Sequence, residues 1–99
     1  MIRVEHVIQI PSGLSNMPAV DQEVTDFREE VMEWSIANGL VDHGTQEVSP
    51  IERVQFYVWA NPEALEAFNA HFGQRYQTYF EDWHAAIEAV GGSIIRTIR

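Results

Sequence analysis

The four histidines, His6, His43, His71 and His84, are the side chains of this sequence best suited to acid–base chemistry or metal binding. None of them stands in a metal-ligand spacing such as H-x-x-x-H, so the sequence predicts no metal site. His6 is distinct because it falls on the otherwise aliphatic side of a predicted strand. It is either a hydrogen-bonded core residue or an acid, base or hydrogen-bond donor that lines a pocket. Burial should lower its pKa in both cases.

Other catalytic motifs are missing from the sequence. It has no cysteine and no lysine, and none of its serines lies in a G-x-S-x-G elbow. No glycine-rich loop of the phosphate-binding type is found. The sequence therefore identifies no catalytic residue and predicts no cofactor.

Aromatic side chains form the second group of residues that could contribute to a ligand-binding site. They could simply be core, or they could line an apolar pocket between a sheet and its helices, with histidines as the polar groups. On the pocket interpretation, the ligand-lining candidates are His6, Phe27, Phe56, Phe68, His71, Phe72, Tyr76 and Trp83.

Four acidic residues, Glu23, Asp26, Glu30 and Glu33, are spaced to lie along one edge of a predicted helix. A solvated helix face is the ordinary interpretation of such a stripe. The alternative is an interaction face that meets a basic partner or mimics nucleic acid.

Hydrophobic periodicity predicts the elements that position these groups. Alternation predicts a first strand over residues 2–10, and a period of 3.6 predicts a helix over 18–39. Residues 44–49 have weak strand character and residues 51–59 have strong strand character. The two segments are either the strands of a hairpin or one bent strand. Pro50 favours the hairpin, because proline has no N–H to donate within a sheet. A helical region follows over 62–90, with a break or bend at Gly73, and a closing strand runs from Ile94 to Ile98.

The order β-α-β-β-α-β predicts one ferredoxin-like α+β domain over residues 1–99, with a four-stranded antiparallel sheet and two helices on one face. In the third strand we expect Val54, Phe56 and Val58 to face the helices. Tyr57 and Trp59 would then lie on the uncovered face. An uncovered face of that kind predicts a homodimer that closes a barrel.

The run from Tyr57 to Phe68, YVWANPEALEAF, resembles the junction of third strand and second helix in dimeric α/β-barrel proteins. These include the antibiotic-biosynthesis monooxygenase and stress-responsive A/B-barrel families. The resemblance implies a homodimer with a ligand pocket between sheet and helices. Monooxygenase-like members often carry histidine after the "EAL" turn; here Phe68 occupies the nearest such position, and His71 follows one turn later.

Composition narrows the function classes further. Six basic residues, all arginine, against fifteen acidic ones give a net charge of −9, which disfavours nucleic acid and anionic membranes as partners. No secretory signal or spanning segment is seen, so we expect a cytoplasmic protein. The sequence predicts a small homodimeric barrel protein that binds or converts a small apolar or aromatic molecule. The alternative is a non-catalytic acidic interaction protein or a nucleic-acid-mimicking inhibitor.

Overall fold

The computed structural model describes all 99 residues as a four-stranded antiparallel sheet with three α-helices. The sheet has the order β2-β3-β1-β4, which is the order of a ferredoxin-like fold. In chain order, the elements are β1 (Ile2–Gln9), a 3-10 turn (Leu14–Asn16), α1 (Gln22–Ala37), β2 (Leu40–Ser49), β3 (Glu52–Trp59), α2 (Pro62–Phe72), α3 (Gln74–Ala89) and β4 (Ser93–Ile98). The predicted fold class is confirmed.

Local capping sets where the helices begin and end. The Asp21 side chain accepts a hydrogen bond from the Val24 amide at 2.9 Å, so α1 begins later than the predicted residue 18. Asn61 caps α2 in the same way, and Pro62 follows as its first residue. Gly73 adopts φ +51°, which divides the predicted helical region into α2 and α3.

The chain between α1 and α2 is a hairpin, as Pro50 indicated. Glu47 pairs with Arg53 and Ser49 with Glu52 on either side of the turn. β2 is longer than predicted because it begins at Leu40, directly after the helix. It is irregular near Leu40 and again near Ser49, where the register with β3 shifts.

The face assignment of β3 was wrong by one residue. Tyr57 lies opposite Val4, and Trp59 opposite Ile2, so both aromatic residues share the helix-covered face of β1. Trp59 is only 4% exposed, and its ring lies 5.3 Å from that of Phe68. The opposite face of β3 carries Val54, Phe56 and Val58 instead. Both alternating sets of β3 are apolar, so the period alone could not choose between them.

We call the helix-covered side of the sheet the inner face and the other side the outer face. Two clusters of buried side chains lie on the inner side. The first consists of Val4, Leu40, Trp59, Phe68 and Phe72, and the second of Ile8, Ile10, Ile87 and Ile94. These clusters hold α2 and α3 against the sheet, since burial of apolar area is the main favourable term in folding.

On the outer face, the Phe56 ring lies close to two other residues. The Arg3 guanidinium lies 4.3 Å from its centroid. A Cβ atom at Gly44 would lie 2.8 Å from Phe56 Cζ, so this close approach requires glycine in β2.

Candidate functional site

A partly open cavity of about 210 Å³ lies between the inner face of the sheet and the helices. All four strands and all three helices contribute to its wall. Its lining is mainly apolar and aromatic: Val4, Val31, Met32, Leu40, Tyr57, Trp59, Leu65, Phe68, Tyr76, Tyr79, Phe80 and Trp83. The polar lining residues are His6, Arg28, Ser35, Gln55 and Arg96.

His6 lies on β1, which is flanked by β3 and β4, and it is paired with Gln55 of β3 and Arg96 of β4. It is 6% exposed, and its ring centroid lies 5.1 Å from that of Phe80 and 5.6 Å from that of Tyr57. Its Nε2 atom is buried and has no hydrogen-bond partner in the protein. Buried polar nitrogens are nearly always paired, so this one could accept or donate a bond to a bound molecule.

Burial of the imidazole, with a smaller contribution from the positive charge of Arg96, lowers the pKa of His6 to about 4. The direction agrees with the sequence prediction. At neutral pH the His6 ring is therefore uncharged, with one nitrogen able to donate and the other able to accept.

Two tyrosines of the cavity are also held in their neutral form. Burial, reinforced by neighbouring phenols, raises the pKa of Tyr57 and of Tyr76. Their hydroxyl groups therefore stay protonated at neutral pH and can serve as hydrogen-bond donors.

Arg28 brings a cation from α1 to the cavity. Its Nε donates a 2.8 Å hydrogen bond to the Tyr79 hydroxyl, and its guanidinium lies 4.7 Å from the centroid of the Trp83 ring. Both contacts are to α3 residues, so they fix the guanidinium between the two helices.

The predicted ligand-lining residues separate into two groups. His6, Phe68, Tyr76 and Trp83 line the cavity, whereas Phe56 lies on the outer face because of the β3 register. The other three also lie elsewhere: Phe72 is in the core, Phe27 packs edge-on against it at 6.0 Å, and the exposed His71 stacks on Trp34 at 4.5 Å.

Sequence reasoning missed several lining residues. Tyr57 was missed because β3 was assigned to the wrong face of the sheet. Arg96 becomes a neighbour of His6 only through the pairing of β4 with β1. Arg28 could have been recognised from the sequence, because it stands at helical spacing from Val24 and Val31 and so interrupts the apolar stripe of α1.

The acidic residues of α1 lie away from this cavity. Glu23, Asp26 and Glu30 line a separate open groove between α1 and α3, and Glu33 does not. Glu30 receives two hydrogen bonds from Arg75, at 2.9 and 3.0 Å, and this pairing lowers the pKa of Glu30. The predicted stripe is therefore partly neutralised.

The side chains form no group of three or more histidines or carboxylates that could hold a metal ion. None of the helices combines the length and the apolar character that crossing a bilayer requires.

The fold is shared with several solved structures. SnoaB, a cofactor-independent oxygenase from Streptomyces nogalater, is 13% identical, with a TM-score of 0.53 over 99% of this chain and 89% of that one. A candidate antibiotic biosynthesis monooxygenase from Deinococcus radiodurans is 12% identical, with a TM-score of 0.50 over 100% and 90%. A conserved protein of unknown function from Bacteroides thetaiotaomicron, described as a possible oxidoreductase, is 14% identical, with a TM-score of 0.50 over 99% and 92%.

No protein-family model matches the sequence, and no curated protein matches it. The likeness to solved structures confirms the predicted resemblance at the level of fold. The chain shares its ferredoxin-like fold with these solved structures, one of which is a candidate antibiotic biosynthesis monooxygenase.

Proposed function

We propose that this protein binds a small aromatic molecule in the cavity between sheet and helices, as a homodimer. The observation that carries the proposal is a mainly apolar cavity of about 210 Å³, lined in part by aromatic rings, with the unpartnered Nε2 of His6 in its wall. An apolar cavity of about 150 Å³ is enough to bind benzene. This cavity is larger and partly open, so it suits one or two rings that carry a polar substituent.

Neighbours with the same fold support the proposal. SnoaB is a cofactor-independent oxygenase, so this fold is compatible with chemistry that needs no cofactor. In the present chain, the neutral His6 and the protonated Tyr57 and Tyr76 would orient the polar substituent, while the rings of Phe80 and Trp83 would contact the aromatic part.

Calorimetric titration with 2-naphthol tests the cavity. We expect saturable binding with one site per chain. Val31→Phe places a ring in the cavity wall and should weaken the affinity at least tenfold. The matched control is Val48→Phe, because Val48 is 60% exposed and does not line the cavity. Absence of binding to the wild type, or equal binding by both variants, would contradict the proposal.

The homodimer is proposed from the outer face of the sheet. This face carries Val7, Val54, Phe56, Val58 and Ile95, and Ile95 is 59% exposed. Apolar side chains gathered on one face, with polar ones around them, are typical of an interface. A second sheet packed face to face would bury them around a two-fold axis.

Sedimentation equilibrium tests the dimer. The expected mass is twice the 11.3 kDa of one chain. Ile95→Arg should shift the equilibrium to monomer, because it places a charge in the apolar interface. Ile36→Arg is the matched control, since Ile36 on α1 is 57% exposed. A wild-type monomer at micromolar concentration would refute the dimer and leave the cavity proposal intact.

A further inference from the structure

The six arginines of the chain fall into two groups. Four of them contact carboxylates, in the pairs Arg3–Glu5 at 2.7 Å, Arg53–Glu47 at 2.8 Å, Arg75–Glu30 at 2.9 Å and Arg99–Glu5 at 3.7 Å. The other two, Arg28 and Arg96, form no salt bridge, and these are the two that line the cavity.

The cavity also differs in charge from the rest of the protein. The chain has fifteen acidic residues and a net charge of −9, yet none of those residues lines the cavity. Since His6 is neutral at pH 7, the charge carried by the lining residues is that of the two guanidiniums. Cations without partners beside an apolar cavity form a site that complements an anion, because interactions with water are reduced there.

The contacts of Arg28 leave its anion-binding atoms free of protein partners. Its Nε is occupied by the Tyr79 hydroxyl, and its guanidinium plane is held near Trp83. No carboxylate pairs with its two terminal nitrogens. A guanidinium binds a carboxylate best through two parallel N–H···O bonds, so a fixed orientation favours this kind of ligand.

Extending the proposed function, we infer that the ligand is an aromatic carboxylic acid that binds as its anion. The ring occupies the aromatic part of the cavity, and the carboxylate pairs with the guanidinium of Arg28. Arg96, on the strand side of the cavity, adds a second positive charge. The competing hypothesis is a neutral aromatic molecule held by apolar contact and by His6 alone.

A pair of probes with the same ring system tests this inference. At pH 7 and low salt, 2-naphthoate carries one negative charge, whereas 2-naphthamide has a similar shape and none. Calorimetry on the wild-type protein should show naphthoate binding at least tenfold more tightly. The difference should shrink as salt is added, because the interaction is between charges.

Variants then assign the effect to the two arginines. Arg28→Met keeps much of the side chain's length and should weaken naphthoate binding at least tenfold, with less than a twofold change for naphthamide. Arg96→Met should weaken naphthoate binding less, about threefold, because Arg96 is more exposed than Arg28 and its charge interacts more weakly with the ligand. Arg99→Met is the control for net charge, because Arg99 is exposed and does not line the cavity.

The outcomes separate this inference from the proposed function. Equal binding of the two probes by the wild type overturns the anionic ligand and leaves the aromatic cavity standing. Failure of 2-naphthol to bind the wild-type protein overturns the cavity proposal itself. Equal loss of both probes in Arg28→Met assigns Arg28 a structural role and also overturns the inference. If that variant does not fold, the wild-type probe comparison and Arg96→Met decide the question.

Discussion

The two faces of the sheet use the same strands for different purposes. His6 and Glu5 are neighbours in β1, yet they point to opposite sides. On the inner face, burial lowers the pKa of His6 and leaves its ring uncharged. On the outer face, a hydrogen bond from Arg3 lowers the pKa of Glu5 and keeps its carboxylate charged. At His6 desolvation removes the charge of the imidazole, whereas at Glu5 pairing retains the charge of the carboxylate.

The aromatic residues of β3 show the same contrast. Trp59 and Tyr57 face the helices and form part of the cavity wall, whereas Phe56, directly before Tyr57 in sequence, packs under Arg3 on the outer face. A strand that is apolar on both sides can serve a ligand site inward and an interface outward. The two sides can be distinguished by mutations that affect only one of them.

The largest expected effect is the loss of the Trp59 ring. Trp59→Ala should lower the free energy of unfolding by about 3–5 kcal/mol, because a large buried ring is removed and the cavity collapses only partly. Phe56→Ala should cost less, about 1–2 kcal/mol, since the Phe56 ring is only half-buried. Urea unfolding measures both.

The comparison should be made in the Ile95→Arg background, in which the proposed dimer is dissociated. A greater cost for Phe56→Ala than for Trp59→Ala would contradict the face assignment of β3.

A second effect concerns His6 and pH. Between its ordinary value of 6.5 and its folded value of about 4, the folded chain binds fewer protons at His6 than the unfolded chain does. The free energy of unfolding should therefore fall as the pH falls from 6.5 to 4. At about 1.36 kcal/mol per pKa unit, the loss approaches 3 kcal/mol.

His6→Leu removes this contribution and is the control, because the carboxylates of the chain titrate in both proteins. The measurement is the difference between the two stability curves, followed from pH 7.5 to pH 4. Parallel curves would show that His6 takes up its proton without penalty in the folded protein.

The smallest expected effect is on the outer face. Gly44→Ala places a Cβ atom 2.8 Å from Phe56 Cζ, so the ring must shift. We expect a loss of about 1–2 kcal/mol in the free energy of unfolding, as for other overpacked sites. Phe56→Leu should relieve it, so the double variant should be more stable than the sum of the single changes predicts. Additive losses would place the Phe56 ring away from Gly44.

Much of the fold could be predicted because its signals are local. Asn61 followed by Pro62 marks the start of α2, Gly73 marks its end, and Pro50 marks the hairpin turn. Each depends on the conformational preference of one or two residues, which acts wherever those residues stand. Of the candidate site, His6 could be singled out because its strand face is otherwise aliphatic.

The rest of the site depended on contacts between distant parts of the chain. Periodicity along β3 separates Val54, Phe56 and Val58 from Tyr57 and Trp59, but it does not say which set faces the helices. The pairing of β3 with β1 made that choice, and the pairing of β4 with β1 brought Arg96 beside His6. The sequence by itself determined the order of the elements and the boundaries that Pro50, Asn61 and Gly73 mark. The tertiary structure decided which side chains share the cavity, because neighbours across a sheet are chosen by packing and register rather than by position along the chain.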